Sequence, residues 1–254
     1  MRFKFNKKIE FFLKNNFLPQ SYLFKKRIER SIKNNYEAEL KIVKEFISPG
    51  TDTIDIGVYR GVYSYEMSKY SRYVHAFEPN PIIFKDIEKN LKKIIQNIKL
   101  YNVALSNKED LVTLKIPIRN KNFNKKNYEE YFQMGRATIH DTNIMNEVES
   151  YDVVTKKLDN FNFTNKISFI KIDVEGHEYE VIVGAEKIIK KHKPVLIVEI
   201  VEENTHKKVE DTLNFINSLG YNSFYLKEDT LKNTNNLNSF NSITNFIFKP
   251  IEKN

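Results

Sequence analysis

The stretch Thr51-Asp52-Thr53-Ile54-Asp55-Ile56-Gly57-Val58-Tyr59-Arg60-Gly61-Val62-Tyr63-Ser64 decides the fold. Thr51 to Ile56 reads as a short buried strand, and a helix follows from about Val62. Between them stand two glycines, four apart. The chain has only seven glycines, so two in one turn need a cause. Gly57 can take turn dihedrals that a side chain forbids, and Gly61 lets a helix or a ligand come close. The helix start behind them offers free N–H groups to a carboxylate or phosphate. The spacing is not the G-x-G-x-x-G of pyrophosphate binders, and it lacks the Gly-Lys-Ser/Thr of a phosphate loop.

Outward from this turn, strand and helix alternate. Tyr73 to Phe77 is the next strand. Asn80-Pro81 caps a helix with Ile83, Phe84, Ile87, Leu91, Ile94 and Ile95 on one face. Ile98 to Leu105 is a third strand, and Leu111 to Ile116 and Tyr151 to Thr155 are two more. Ile167 to Asp173 is a strong strand, with a helix over Glu178 to Lys190 behind it. Val195 to Val201 is an apolar run but for Glu199, so it is buried on both faces. Thr205 caps a helix along Val209, Leu213 and Ile216, which Gly220 ends. Tyr221 to Leu226 and Ile243 to Phe248 are the last strands, with a polar loop over 232–239 between them. No helix separates these two strands, so they pair as a hairpin. The pattern is α/β: a mostly parallel sheet with helices on both faces and an antiparallel last strand. Ligands of such sheets bind outside the carboxyl ends of the strands.

Upstream, Tyr36, Leu40, Val43 and Ile47 give a helix face that Ser48-Pro49-Gly50 stops. Residues 1–35 form a basic helical extension, with Phe5, Ile9, Phe12 and Leu13 in one apolar group and Phe24, Ile28, Ser31 and Ile32 in another. Such a segment packs as a cap on its own domain or lies on a membrane surface, and the first is the stronger expectation. The remainder, 36–254, is one domain. Residues 118–150 are polar and irregular, and a loop this long inside a compact domain usually has a function.

Composition narrows the chemistry. The 254 residues contain no cysteine, which excludes structural disulfides, Cys-ligated zinc and a cysteine nucleophile. With 41% hydrophobic and 29% charged residues the chain is globular. Its net charge of +8 raises nucleic acid as a partner, but no arginine-rich stripe supports one. No apolar run approaches the about 20 residues that span a bilayer, and no cleavage signal is visible. A soluble cytoplasmic protein is expected, with peripheral membrane contact only through the basic extension.

Two strand ends carry the polar chemistry. His75-Ala76-Phe77-Glu78-Pro79 places Glu78 where a Rossmann-like site holds an acid against ribose hydroxyls. With the glycine turn, this predicts a nucleoside-bearing cofactor without a pyrophosphate; S-adenosylmethionine fits, its ribose on Glu78 and its methionine part near Asp55. Lys171-Ile172-Asp173-Val174-Glu175-Gly176-His177-Glu178 clusters acids, a glycine and a histidine at the mouth of the sheet. Asp173, Glu175 and His177 are candidates to act on a hydroxyl, His177 being nearest the useful pKa for a base. No metal is assigned, since no further ligand is identifiable.

These pieces resemble the FkbM family of S-adenosylmethionine-dependent methyltransferases. The likeness runs in order over about 50–202, through Asp55-Ile56-Gly57 to Ser64, Ala76-Phe77-Glu78-Pro79, Asn102-Val103-Ala104-Leu105, Leu158-Asp159, the Lys171–Glu178 string and Val198-Glu199-Ile200. It implies a Rossmann-like class I methyltransferase fold with a seven-stranded-type sheet. It also implies methyl transfer to a hydroxyl of a sugar or similar small molecule. Asp55, Gly57, Gly61, Tyr63, Ser64, Glu78, Pro79, Asn102, Val103 and Ala104 would then surround the cofactor. Where the family's turn usually reads Gly-Ala-Asn, this chain has Gly57-Val58-Tyr59. That replaces small and polar residues by a branched and an aromatic one, and Tyr59 is then placed to cover the cofactor or the acceptor.

The leading function is therefore an O-methyltransferase with Asp173 or His177 as base and Glu175 orienting one of them. Acceptor choice is expected in 118–150, through Arg136 and His140. The rivals are a nucleic-acid methyltransferase, a non-catalytic binding module on the same scaffold and, weakest, an NAD-dependent oxidoreductase. The first lacks an Asn-Pro-Pro-Tyr-like string after the Asp173 strand, and the last lacks the third glycine of its fingerprint.

Overall fold

The computed structural model describes residues 18–34, 37–119, 137–139, 147–201, 208–237, 239–240 and 243–251. Strands β1 (Asp52–Ile56), β2 (Val74–Phe77), β3 (Ile98–Tyr101), β7 (Ile167–Ile172), β8 (Val195–Glu199), β9 (Tyr221–Lys227), β10 (Thr230–Asn233) and β11 (Asn245–Pro250) form one sheet of order β10-β9-β11-β8-β7-β1-β2-β3. From β3 to β8 all neighbours are parallel. β11 inserts between β8 and β9 and is antiparallel to both. The chain order on the sheet reverses between β1 and β7, so their carboxyl ends flank a crevice. A smaller sheet of β4 (Ala104–Leu105), β6 (Val148–Lys156) and β5 (Asp110–Pro117) stands beside it.

The central strands β1, β2 and β7 are buried at every position, as two-sided coverage by helices requires. The helices are α1 (Gln20–Lys33), α2 (Val43–Phe46), α3 (Val62–Ser68), α4 (Pro81–Ile94), α5 (Glu178–Val183), α6 (Glu186–His192) and α7 (Val209–Ser218). Asn80 caps α4, its side-chain oxygen accepting from the Ile82 and Ile83 N–H groups, with Pro81 in the first turn. Phe24 and Ile28 of α1 are buried in the same apolar cluster as Ile83, Ile87 and Leu91 of α4. This half of the extension therefore packs on the domain as a cap. Phe5, Ile9, Phe12 and Leu13 lie outside the described residues. No helix of the described residues is long and apolar enough to cross a membrane.

Four elements differ from the sequence expectation. The helix over Tyr36–Ile47 is instead a 3-10 turn (Ala38–Lys41) followed by the single turn α2. The positions that suggested a helix face, Leu40, Val43 and Ile47, are buried all the same. The third strand breaks after Tyr101 because Asn102 turns back, its amide donating to the carbonyls of Glu78 (2.8 Å) and Pro79 (3.1 Å). The helix over Glu178–Lys190 splits at Gly184, where a Cβ would lie 2.0 Å from the Ser106 carbonyl oxygen. Part of the expected 232–239 loop is strand β10, which pairs with β9. The Thr205 cap lies outside the described residues, and α7 starts at Val209.

Candidate active site

The turn after β1 is built by backbone approach. Gly57 has φ +86°, and a Cβ there would meet the Asp173 carbonyl oxygen at 1.7 Å. Only glycine lets the ends of β1 and β7 close to this distance. The Asp173 N–H in turn donates to the Ile56 carbonyl at 2.9 Å. Gly61 also has positive φ, +72°, and the space its Cβ would take is filled by Leu91 of α4. Tyr59 is left-handed too, φ +46°, a conformation that Asn tolerates and Tyr resists. Its N–H donates to Glu78 Oε2 at 2.9 Å. The Arg60 guanidinium lies 5.0 Å from its ring centroid.

Glu78 is buried, 5% exposed. One carboxylate oxygen accepts from Tyr59, the other from the Asn80 N–H at 2.9 Å. A carboxylate has about four lone-pair directions, so two remain for further donors. Burial pushes Glu78 up to about 7 against the pull of those two N–H groups. Glu178 plays a matching part at the other strand end. Its Oε1 accepts from the N–H groups of Val174 (3.2 Å) and Gly176 (3.0 Å), holding the 173–177 loop. Burial raises it to about 7 as well. Asp55, 1% exposed, accepts from the Ser64 hydroxyl at 2.5 Å; burial raises it to about 7, opposed first by that bond.

These three acids make a prediction. Each binds its proton more tightly folded than unfolded, where carboxyls titrate near 4. Between the two values the folded state holds more protons, so stability falls as pH rises. His75 and His192 are pushed down by burial, and their opposite contribution is confined below about pH 6.5. From pH 6.5 to 8.5 the unfolding free energy should therefore fall by about 1 kcal/mol for each acid, and the urea midpoint with it. A midpoint that rises over this window contradicts the assignment.

A cleft of about 740 Å³, open solvent included, lies between these strand ends. Ile83, Val103, Ala104, Leu105, Leu114 and Ile139 form its apolar shelf. Gly57, Glu78, Pro79, Asp173, Glu175 and His177 form its polar rim. The shelf suits a flat aromatic base, and the rim suits a polyol. Asn102 straps the Glu78–Pro79 backbone and does not line the cleft; Ser64 and Gly61 likewise act from behind it. Tyr63 lines a second cavity that shares Gly57, Tyr59 and Asp173 with the first.

Of the three candidate bases, Asp173 is open to both cavities, its side chain 31% exposed. His177 is 8% exposed, with Nε2 at 2.9 Å from Ser106 Oγ and Nδ1 at 3.6 Å from Glu180. Its nitrogens are thus turned toward protein partners. Glu175 takes a left-handed turn, φ +54°, on the cleft rim. Ala137 and Ile139 carry the 118–150 segment to the cleft; Arg136 and His140 lie outside the described residues. Among those residues no group of three or more His, Asp and Glu is arranged for a metal ion.

The sequence reading missed Lys171. It is 1% exposed in the middle of the sheet. Its Nζ stands 3.2 Å from Asn245 Oδ1, 3.8 Å from Glu199 and 3.9 Å from Asp173. Burial pulls the ammonium down, but Asp173, Glu199, Glu37 and Asp55 together keep it above its ordinary value. The signal was present: a lysine inside an otherwise apolar strand, with an acid just past the end of that strand and another at the end of the next.

The model of the methyltransferase FkbM domain matches residues 55–223. The crystal structure of methyltransferase FkbM from Methylobacillus flagellatus KT superposes with a TM-score of 0.50 at 15% identity, over 83% of this chain and 50% of that one. The chain thus spans half the length of that protein. An rRNA methylase from Streptococcus thermophilus gives 0.46 at 11% identity, over 85% of this chain and 95% of that one. No curated protein matches the sequence.

Proposed function

Since the chain belongs to the FkbM methyltransferase family, we propose that it moves the methyl group of S-adenosylmethionine to a hydroxyl oxygen of a small-molecule acceptor, a sugar by expectation. The observation that carries the cofactor reading is Glu78: a buried carboxylate, pinned by two backbone N–H groups, with lone pairs left beside an apolar shelf. Such an acid matches the two hydroxyls of a ribose, with the base lying on Val103 and Ala104. Asp55 and Ser64 satisfy each other and support the glycine turn from below. Gly57 lets the ends of β1 and β7 close against each other where a side chain would strike the Asp173 carbonyl.

When bound, S-adenosylmethionine supplies a methyl group already activated by its sulfonium. What the chain adds is alignment, which supplies much of the acceleration, and a proton acceptor. Asp173 suits that task, being an acid at the junction of both cavities, beside the glycine turn. It takes the hydroxyl proton as the new C–O bond forms. His177 fits a structural role better, its ring nitrogens facing Ser106 and Glu180. Ala137 and Ile139 contribute an apolar wall from the 118–150 segment.

Calorimetry with S-adenosylhomocysteine tests the cofactor site. Glu78→Gln should weaken binding by about ten- to hundredfold, the worth of charge-assisted hydrogen bonds. Unchanged affinity would remove Glu78 from the site. A panel of sugars, glycosides and RNA incubated with methyl-labelled S-adenosylmethionine tests the acceptor class. Label on RNA alone would replace the sugar reading by the nucleic-acid one.

A further inference from the structure

Helix α1 uses only one of its faces in the fold. Phe24 and Ile28 are buried in the cluster they share with α4. With Ser31 they also line a small cavity that shares Tyr59 and Ile83 with the cleft. Each residue advances a helix by about 100°, so Tyr22, Lys26, Glu29 and Lys33 fall on the opposite side. That side is aromatic and basic. Tyr22 is 46% exposed, and Tyr70, just past the end of α3, is 39% exposed. The Lys26 ammonium lies 5.7 Å from the Tyr22 ring centroid, and the Lys69 ammonium lies 5.0 Å from that of Tyr65 on α3.

The two helices share this surface. Lys26 donates to Glu29 at 2.8 Å, and Lys69 donates to Glu66 at 2.6 Å. The Lys26 hydrogen bond first, and the Lys25 and Lys69 charges after it, hold the Glu29 carboxyl below its usual range. Cations stay in excess even so, with Lys25, Lys26, Arg30 and Lys69 against Glu29 and Glu66. The chain that leads into α1 has the same character: residues 1–17 hold five basic residues, one acid and five phenylalanines. Cationic stems beside exposed rings match the interface of an anionic bilayer, where the apolar parts sit among the headgroups and the charges meet phosphate. Nucleic acid fits less well. It stacks its bases on open aromatic faces, and the Tyr22 and Tyr65 rings already carry ammonium groups.

We propose that the outer face of α1, with Lys69 and Tyr70 at the end of α3, is a docking surface for an anionic lipid bilayer. The cap then has two tasks, one on each side of the same helix. A helix is about 10 Å across, so a bilayer seated there lies about one helix away from Tyr59 at the cleft. The proposal does not depend on which acceptor the enzyme methylates.

The test sediments the full chain with vesicles of equimolar phosphatidylcholine and phosphatidylglycerol, and with vesicles of phosphatidylcholine alone. The wild type should pellet with the first and stay in solution with the second. Tyr22→Ser with Tyr70→Ser should lower the partition coefficient by about ten- to thirtyfold, through lost apolar contact. Lys26→Gln with Arg30→Gln should lower it to a similar extent, by about fivefold for each charge. Leu111→Ser with Val154→Ser removes an exposed apolar pair from the small sheet and should stay within about twofold of wild type. All these side chains are exposed, so the fold tolerates each exchange. No binding to the mixed vesicles, equal binding to both lipids, or wild-type binding by either of the first two variants overturns the assignment. So does a loss in the Leu111–Val154 variant as large as theirs. Salt-sensitive retention of RNA, lost in the first two variants and without any vesicle binding, would give the face to nucleic acid instead.

Discussion

Asp173→Asn should lower methyl transfer by about a hundred- to ten-thousandfold, the usual worth of a positioned base, while S-adenosylhomocysteine affinity stays within about twofold. The substitution keeps shape and removes charge. The backbone at 173 is fixed by its N–H bond to Ile56 and by the close approach of Gly57, so the asparagine would occupy the same place. Without that carboxylate the C–O bond must form from a neutral, weaker nucleophile. The measurement is the initial rate of label transfer to whichever acceptor the panel identifies, beside a binding isotherm. A rate within a few-fold of wild type would shift the base to His177 or Glu175. A large loss of S-adenosylhomocysteine affinity would instead make Asp173 a cofactor ligand.

What the sequence could show follows from how local each signal is. Asn80-Pro81 and the apolar face behind it report a helix start through a cap that needs only neighbouring residues, and α4 begins there. Gly57 was legible as a constrained position because glycine is scarce in this chain. Its partner, the Asp173 carbonyl 116 residues later, depends on the sheet order. Gly184 carried the same kind of signal and was absorbed into a periodic helix; the reason for the glycine, the Ser106 carbonyl, sits in another element. Asn102 looked like a site residue through its place in a motif, yet its amide holds the main chain of the β2 end. The polar run that forms β10 has no apolar alternation to announce it, because that edge strand has no buried position. Glu37 and Glu199 could not be linked to Asp173 by spacing alone, since the register of β7 on β8 sets the second pair and the turn before β1 sets the first.

Lys171→Met should destabilise the fold by about 3–5 kcal/mol, the cost of removing one partner from a buried ionic cluster, and the loss should be larger at pH 8.5 than at pH 6.5. Methionine matches the lysine stem in length and flexibility, so packing against the Tyr63 ring, now 5.0 Å from Nζ, is largely retained. The ammonium is what disappears. Asp173 and Glu199, which end adjacent strands, then face each other with no cation between them. Glu199 is already raised to about 8, by burial first and by the Asp173 carboxylate next, with Lys171 opposing both. Removing that opposition moves Glu199 higher still. At pH 6.5 it keeps its proton and the cluster carries one charge fewer; at pH 8.5 in the wild type it releases the proton to solvent, and Lys171 stabilises the carboxylate left behind. The variant lacks that cation, so the gap between the two proteins widens as pH rises. Urea unfolding of both proteins at the two pH values measures that gap. An equal loss at both would mean that the carboxylates at the strand ends do not depend on its charge.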